Sequence, residues 1–439
     1  MLDDYKKSDN QIVWERNKQG LKLLRYKAQS ASIVVREVLR DRGWNQVEGE
    51  SNIWDLNWCD LGDIQNVLKS RLGDNQYVPN FWNFYELSRK TLLNRNMNKL
   101  KKAHLREGRT EEAKLCDCIP VSFELPAQYM MFVDEHKKHS GQTWIVKPAI
   151  GSRGKGIFLF RKLKDLNKWK AGKDFLKVTE GEETMPDIWL VQKYIDNPYL
   201  LGGKKFDLRL YVLVQSFSPL KVWVNREGFA RMSGTTYDLS ELKDNYIHLT
   251  NASLQLNEKC VTLDNHKQGQ KWHIRKLREM LTARHGWVVV ENLVQQLGHI
   301  ILTSLFSVQK NINQNRHSFE LFGYDILLDD KLNPWLLEVN SRPALESTDE
   351  EDHDLKYNMI SDVLNVVDFE GRMSGSEIRI GGFDLIYDGA PIPMPCPGSN
   401  ECGPFSDVNR LNIFLGALND REKHLASMRE WQNLLPKKC

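Results

Sequence analysis

The chain has 439 residues, 41% hydrophobic and 27% charged, with 61 basic and 58 acidic side chains for a net charge of +3. That is enough chain for roughly two to four domains and a sizeable core, with the composition of an ordinary soluble globular protein. No segment reads as the roughly 18 apolar residues of a membrane span, and the opening MLDDYKKSDN lacks the apolar core of a secretory leader. The seven cysteines are odd in number, and Cys116 and Cys118 lie too close together for the usual zinc pair, so the reading is reduced thiols in an intracellular protein.

In chain order, Gln19–Arg42 carries apolar residues at helical spacing and Gly43 supplies a stop, which predicts one helix. Short aromatic-rich strands such as Ile53–Trp58 follow. A second helix is basic: Arg89, Lys90, Arg95, Lys99, Lys101, Lys102, Arg106 and Arg109 stand against the single acid Glu107. Such a run is either a solvated face or a dock for an acidic partner, and no nucleic-acid motif accompanies it. From Thr143 to Leu220 the pattern is strand-rich (TWIVKP, GIFLF, IWLVQKYI, LRLYVLV), with an acidic loop at Thr179–Asp187. His273–Asn313 reads as two helices and Phe322–Asn340 as a hairpin. After Met373 comes a Gly/Pro-rich tail (Gly389–Gly398), then a last helix near Asp407–Leu434. The pattern is mixed α+β, divided as 1–45, 46–125, 126–200, 201–372 and 373–439.

Three clusters carry chemistry. In the hairpin, Asp325 and Glu338 are equidistant from a turn near Lys331 and Leu332, so they face each other across the ladder at about 5 Å between Cβ atoms. Asn340, two residues beyond Glu338, points the same way. Two carboxylates in apolar strands need a partner, and a hard divalent cation held by oxygen ligands is one; an acidic edge hairpin in water is the alternative. The second cluster, WIVKPAIGSRGKGIFLF, reads strand, glycine loop, strand. Its glycines let amides approach phosphates, and Lys147 before them can reach a phosphate or simply snorkel to the surface. The third, GGKKFDLRLYVLV, puts Lys205, Asp207 and Arg209 on one strand face, either as a site wall or as a structural Asp207–Arg209 ion pair. Gln192–Ile195 lies in an apolar strand that can offer backbone groups to an adenine edge.

In this order KPAIGSRGKGI, QKYIDNPYLLGGKKFDLR, HLTN and FGYDILLDDKLNPWLLEVN resemble the tubulin–tyrosine-ligase-like family, with FWNFYELSRK, IGGFDLIYDG and LGALNDREK extending the likeness over most of the chain. The resemblance implies an ATP-grasp-like fold with N-terminal, central and C-terminal domains. It implies ATP contacts at Lys147, Arg153, Gly154, Gln192, Lys193, Tyr194, Ile195, Lys205, Phe206, Asp207, Thr250 and Asn251. Magnesium ligands fall on Asp325, Glu338 and Asn340. Arg153, Arg231 and Lys271 match positions for the incoming glutamate, and Arg209 joins Glu338 as a catalytic position. The implied activity is ATP-dependent polyglutamylation of tubulin C-terminal tails on microtubules with free L-glutamate, aided in some members by accessory subunits. Neither nucleic acid nor membrane is implied as a partner. The implied location is the cytoplasm and cytoskeleton, including the axoneme and basal body of cilia or flagella. Where the family branch has Gln this chain has Arg153, and where it has Ala-Ser after the metal Asn this chain has Ser341-Arg342, and both changes are expected to add positive charge near the site. A glycine ligase of the same family and a catalytically silent microtubule-binding protein are the rival readings. The HRD and DFG motifs of a protein kinase are absent from the sequence.

Overall fold

The computed structural model describes residues 24–49, 53–151, 154–170, 188–251, 271–395 and 410–434. The first part contains β1 (Arg25–Lys27), α1 (Ile33–Asp41), β2 (Asn45–Gln46), β3 (Leu56–Asn57), α2 (Leu61–Lys69), α3 (Tyr85–Ser88), α4 (Lys90–Arg106) and α5 (Thr110–Leu115). Next come β4 (Ser122–Leu125), α6 (Tyr129–Lys138), β5 (Trp144–Pro148), β6 (Phe158–Phe160), α7 (Leu163–Lys170) and β7 (Trp189–Lys193). They are followed by β8 (Leu200–Leu201), β9 (Lys204–Phe217), β10 (Leu220–Met232), α8 (Asn245–His248), β11 (Lys271–His273), α9 (Ile274–His285) and α10 (Trp287–Val308). The last part holds β12 (Glu320–Leu328), β13 (Pro334–Asn340), α11 (Glu350–Val367), β14 (Arg379–Ile380), β15 (Phe383–Asp388) and α12 (Arg421–Leu434).

Among the described residues these strands form three sheets. A small parallel sheet has the order β2-β1-β3, a four-stranded sheet the order β4-β7-β5-β6, and an eight-stranded sheet the order β13-β12-β9-β10-β15-β14, with β11 on β10 and β8 on β9. The four- and eight-stranded sheets are antiparallel throughout. The α+β expectation thus holds as a mixture of helices and sheets.

The long strand β9 organises the large sheet through its two-residue alternation. Phe206, Leu208, Leu210, Val212 and Val214 face one core, where α10 contributes Leu297, Ile301 and Leu305 and α4 contributes Leu93 and Met97. The other face carries Tyr211 and Leu213 into a second core against α1 and α11. Earlier on that same face stand Lys205, Asp207 and Arg209. One face of one strand is therefore polar at its start and apolar further on, and the polar half opens toward the four-stranded sheet.

Four expectations change. The helix expected over Gln19–Arg42 is confined, among described residues, to Ile33–Asp41. Leu24, Tyr26 and Ala28 are buried at period two, so the apolar spacing there serves a strand, and Ser32 caps the helix by accepting from the Val35 amide. The last helix begins at Arg421, because Leu411, Ile413 and Leu415 enter the main core instead. The tail does not stand apart: β15 is hydrogen-bonded to β10, and β4 pairs with β7 across the expected 125/126 boundary. Finally, α10 is long and apolar enough to cross a membrane, which the sequence reading missed; 72% of its apolar window is buried in the protein. The acidic stretch Thr179–Asp187 and residue Arg153 lie outside the described residues.

Candidate active site

The hairpin β12–β13 pairs Asp325 with Glu338 and Gly323 with Asn340, and a bulge follows Asp325. The three side chains converge: the Asn340 amide nitrogen lies 3.3 Å from Asp325 Oδ2 and 3.5 Å from Glu338 Oε1. Turning that amide over presents its oxygen to the same point. Among the described residues no group of three or more His, Cys, Asp or Glu is placed to hold a metal. The donor set here is two carboxylates and an amide, which fits a magnesium ion that completes its shell with phosphate and water oxygens.

Every carboxylate in this corner is paired with a cation. Arg209 Nε donates to Asp325 Oδ1 at 2.6 Å and Arg231 approaches Asp325 Oδ2 at 2.9 Å. Arg231 also grips Asp207, through Nε at 3.0 Å and through its terminal nitrogen. In place of the Asp207–Arg209 ion pair weighed as the alternative to a site wall, the two residues form cross-strand pairs, Asp207 with Arg231 and Arg209 with Asp325. Gly323 makes room for this: a Cβ there would sit 3.3 Å from Arg209 Cδ and 2.9 Å from Pro343 Cβ. Burial raises the Asp325 carboxyl, and Arg209 and Arg231 only partly offset the rise. Burial would raise Glu338 too, but the Lys90 ammonium, 2.9 Å away, outweighs it and holds this carboxyl well below the usual range.

Opposite this floor stands β5. Lys147 is 8% exposed and donates to Gln192 Oε1 at 2.7 Å. Desolvation pushes Lys147 down to about 8 although Glu338 lies nearby, and pushes Lys205 down to about 7 against the pull of Asp207. Lys205 donates to Tyr194 Oη at 2.9 Å and to the His248 carbonyl at 2.8 Å. Two buried lysines held off water are placed to donate to phosphate oxygens when protonated.

Between the two sheets runs a cleft that Lys147, Gly154, Lys205, Asp207, Asp325 and Glu338 line together. Gln192, Lys193, Tyr194, Ile195, Thr250 and Asn251 line it as well. Gly154 has φ +71°, a conformation that suits glycine. Phe206 points the other way, into the core, so only its backbone is on the site side. Lys271 pairs with Arg231 across the β10–β11 ladder, which puts both side chains on one face. Its ammonium is bonded to Asp352 at 2.9 Å.

Two cations are not where the sequence suggested. Lys90, counted there with the basic face of α4, turns into the cleft beside Glu338 and reaches the Gly151 carbonyl at 3.5 Å. A signal existed: α4 has no acid in its first turn and begins with Arg89 and Lys90, and cations there oppose the helix dipole unless something else holds them. Arg342 turns away from the cleft instead. It donates to Asn80 Oδ1 at 2.7 Å, and Asn80 donates to the buried Glu320 at 2.9 Å. Of the outward basic residues, Arg95 pairs with Glu124 and Lys101 with Asp117, while Lys99, Lys102 and Arg106 face solvent.

Two antiparallel sheets enclose a cleft, with Lys147 on the four-stranded sheet facing Lys205, Asp207, Asp325 and Glu338 on the eight-stranded one, and this makes an ATP-grasp-like arrangement. A profile of the Tubulin-tyrosine ligase family matches residues 68–374, and the chain belongs to that family. It is 41% identical to "Probable tubulin polyglutamylase TTLL9" of Mus musculus, covering 92% of each chain. It is 37% identical to "Probable tubulin polyglutamylase ttll-9" of Caenorhabditis elegans, covering 93% of this chain and 95% of that one. Identity to "Probable alpha-tubulin polyglutamylase Ttll1" of Tetrahymena thermophila is 35%, over 84% of this chain and 94% of the other.

Proposed function

We propose that this chain is an ATP-dependent tubulin polyglutamylase, joining the amine of free L-glutamate to side-chain carboxylates of tubulin C-terminal tails. The observation that carries the reading is a cleft in which Asp325 and Glu338 meet Lys90, Lys147, Lys205 and Arg231, with Arg209 and Asn340 bonded to those carboxylates from behind. The likeness to named tubulin polyglutamylases supplies the substrate. In the first step an acceptor carboxylate oxygen attacks the γ-phosphorus of ATP, the bond to the bridging oxygen breaks, and ADP leaves an acylphosphate. In the second the glutamate amine attacks the acyl carbon, phosphate departs, and the nitrogen loses a proton.

Lys147 and Lys205 hold the phosphates in this scheme, and Gln192–Ile195, Thr250 and Asn251 flank the base and ribose. Asp325, Glu338 and Asn340 would hold magnesium, which when bound supplies neutralisation of phosphate charge. Arg209 stands beside the reacting carboxylate, and Arg231 and Lys271 face the incoming glutamate. Both steps gather negative charge among preorganised cations, the usual source of most of the rate. The four-stranded sheet serves as the central domain, the eight-stranded sheet as the catalytic C-terminal domain, and the outward α4 face as a dock for the acidic tail, on the cytoskeleton and in cilia. The test is mass spectrometry of tubulin tails after incubation with the protein, ATP, Mg²⁺ and an equimolar mixture of glutamate and glycine. Glutamyl increments are expected; glycyl increments would replace the reading with a glycine ligase.

A further inference from the structure

Lys271, whose side chain is 21% exposed, is tied to a buried Asp352–Lys356 pair that reaches beyond the cleft. The sequence Thr348–Lys356 starts α11, with Asp349 as cap accepting from the Asp352 amide at 2.8 Å. That cap turns Asp352 inward, where it is 1% exposed, and the helical spacing of four brings Lys356, 4% exposed, alongside it. The Asp352 carboxylate accepts from the Thr348 amide at 3.0 Å, from Lys271 at 2.9 Å and from Lys356 at 2.9 Å. Lys356 also donates to the Glu346 carbonyl at 2.5 Å.

The charges do not balance there. Two ammoniums share one buried carboxylate, leaving one positive charge. The other carboxylates of the first turn, Asp349, Glu350 and Glu351, are exposed, with Glu351 79% exposed opposite His273, so water screens them. On the neighbouring strand the count closes: Arg209 and Arg231 meet Asp207 and Asp325. Of the two cations that face the donor amino acid, Arg231 is matched, and the excess sits on the Lys271 side. A buried excess charge is costly until an anion arrives.

We infer that Asp352 and Lys356 are positioning residues for the donor amino acid: Asp352 fixes the Lys271 ammonium, and Lys356 supplies the unbalanced charge that selects a donor with a side-chain carboxylate. This rests on the ligase reading above, and it names the device that separates glutamate from an uncharged donor. Lys356 itself touches no substrate. It acts through the carboxylate it shares with Lys271.

The experiment compares wild type, Lys356→Met and Lys356→Arg in tubulin glutamylation, with glutamate and glutamine as alternative donors. Lys356→Met is expected to raise the KM for glutamate roughly tenfold, the scale of one charge-assisted contact, with kcat and the KM for ATP within about twofold. The preference for glutamate over glutamine should shrink by a similar factor, and Lys356→Arg should restore it. Calorimetric titration of glutamate into each protein, saturated with a non-hydrolysable ATP analogue and Mg²⁺, repeats the comparison without turnover. An unchanged glutamate KM, an equal rise in the KM for ATP, or a Lys356→Arg protein as impaired as Lys356→Met would overturn the inference. If wild type transfers no glutamate at all, the ligase reading itself falls, a result distinct from these.

Discussion

The floor of the cleft and the outward face of α4 are both densely charged, and they obey opposite rules. On the floor, Asp325 and Glu338 are 3% and 22% exposed and each is tied to a cation. On α4, Lys99, Lys102 and Arg106 stand in solvent. One helix serves both regimes, because Lys90 at its first turn is 12% exposed beside Glu338. The floor is preorganised: its charges are desolvated and held by partners, so removing one leaves another buried and uncompensated. The outer face is adaptable, and each charge there is worth little alone and is screened by salt.

The comparison breaks most sharply at Glu338. Glu338→Gln keeps the size and loses the charge, so turnover should fall by at least about 10²–10³-fold, the scale of lost transition-state electrostatics, in a protein that still folds but melts at a lower midpoint because Lys90 loses its partner. Glutamylation rate and a circular dichroism melt check both halves. Activity within tenfold of wild type would mean the floor is not catalytic and would favour the silent microtubule-binding reading.

Lys90 sharpens it next. In Lys90→Met, burial acts on Glu338 without its main offset, so the Glu338 carboxyl rises toward the ordinary range and the acid limb of the pH–rate profile should move up by about one unit or more. The loss of activity is then larger near pH 5 than at pH 8. A uniform loss at all pH values would assign Lys90 to docking with the rest of α4.

The two buried lysines of the cleft give effects of opposite sign on affinity and stability. Lys147 and Lys205 stand at about 8 and about 7 in the folded protein, against 10.5 for a free lysine. Between those values the unfolded chain binds more protons, so the stability of the nucleotide-free protein rises with pH from about 7 toward 10. Phosphates need the protonated ammoniums, so ATP affinity should fall over about pH 7–9. Melting curves and nucleotide titrations across that range test both signs; the two quantities moving together would rule out these lysines as the phosphate ligands.

Much of this was legible in the residues. The Asp325–Glu338 pairing follows from counting outward from the turn, because hairpin register is local. The face shared by Lys205, Asp207 and Arg209 follows from alternation. What alternation does not supply is who pairs with whom. Asp207 takes Arg231 and Arg209 takes Asp325 because β10 and β12 flank β9, a fact of sheet order. Lys90 was misplaced for the same reason: helical periodicity assigns a face, and its first turn was held by a strand nearly 250 positions later in the sequence. Arg342 looked like an added charge at the site, yet Asn80, which immediately precedes the FWNFYELSRK stretch, takes it up.

The smallest effects belong to the outer face, and they test whether it is a dock at all. Lys101 is a poor target because Asp117 already pairs with it; its reversal would create a new clash inside the protein. Lys99→Glu, Lys102→Glu and Arg106→Glu together change only solvated charges. Each reversal should weaken tubulin binding by a few-fold at low salt, and the three together should flatten the dependence of binding on ionic strength. ATP affinity and the melting midpoint should stay at wild-type values, since none of the three touches the floor. Co-sedimentation with microtubules from about 25 to 200 mM salt reads the slope directly. If the triple variant keeps the wild-type slope, the solvent-facing residues of α4 are a solubilising surface, and tail recognition has to come from the cleft's own cations.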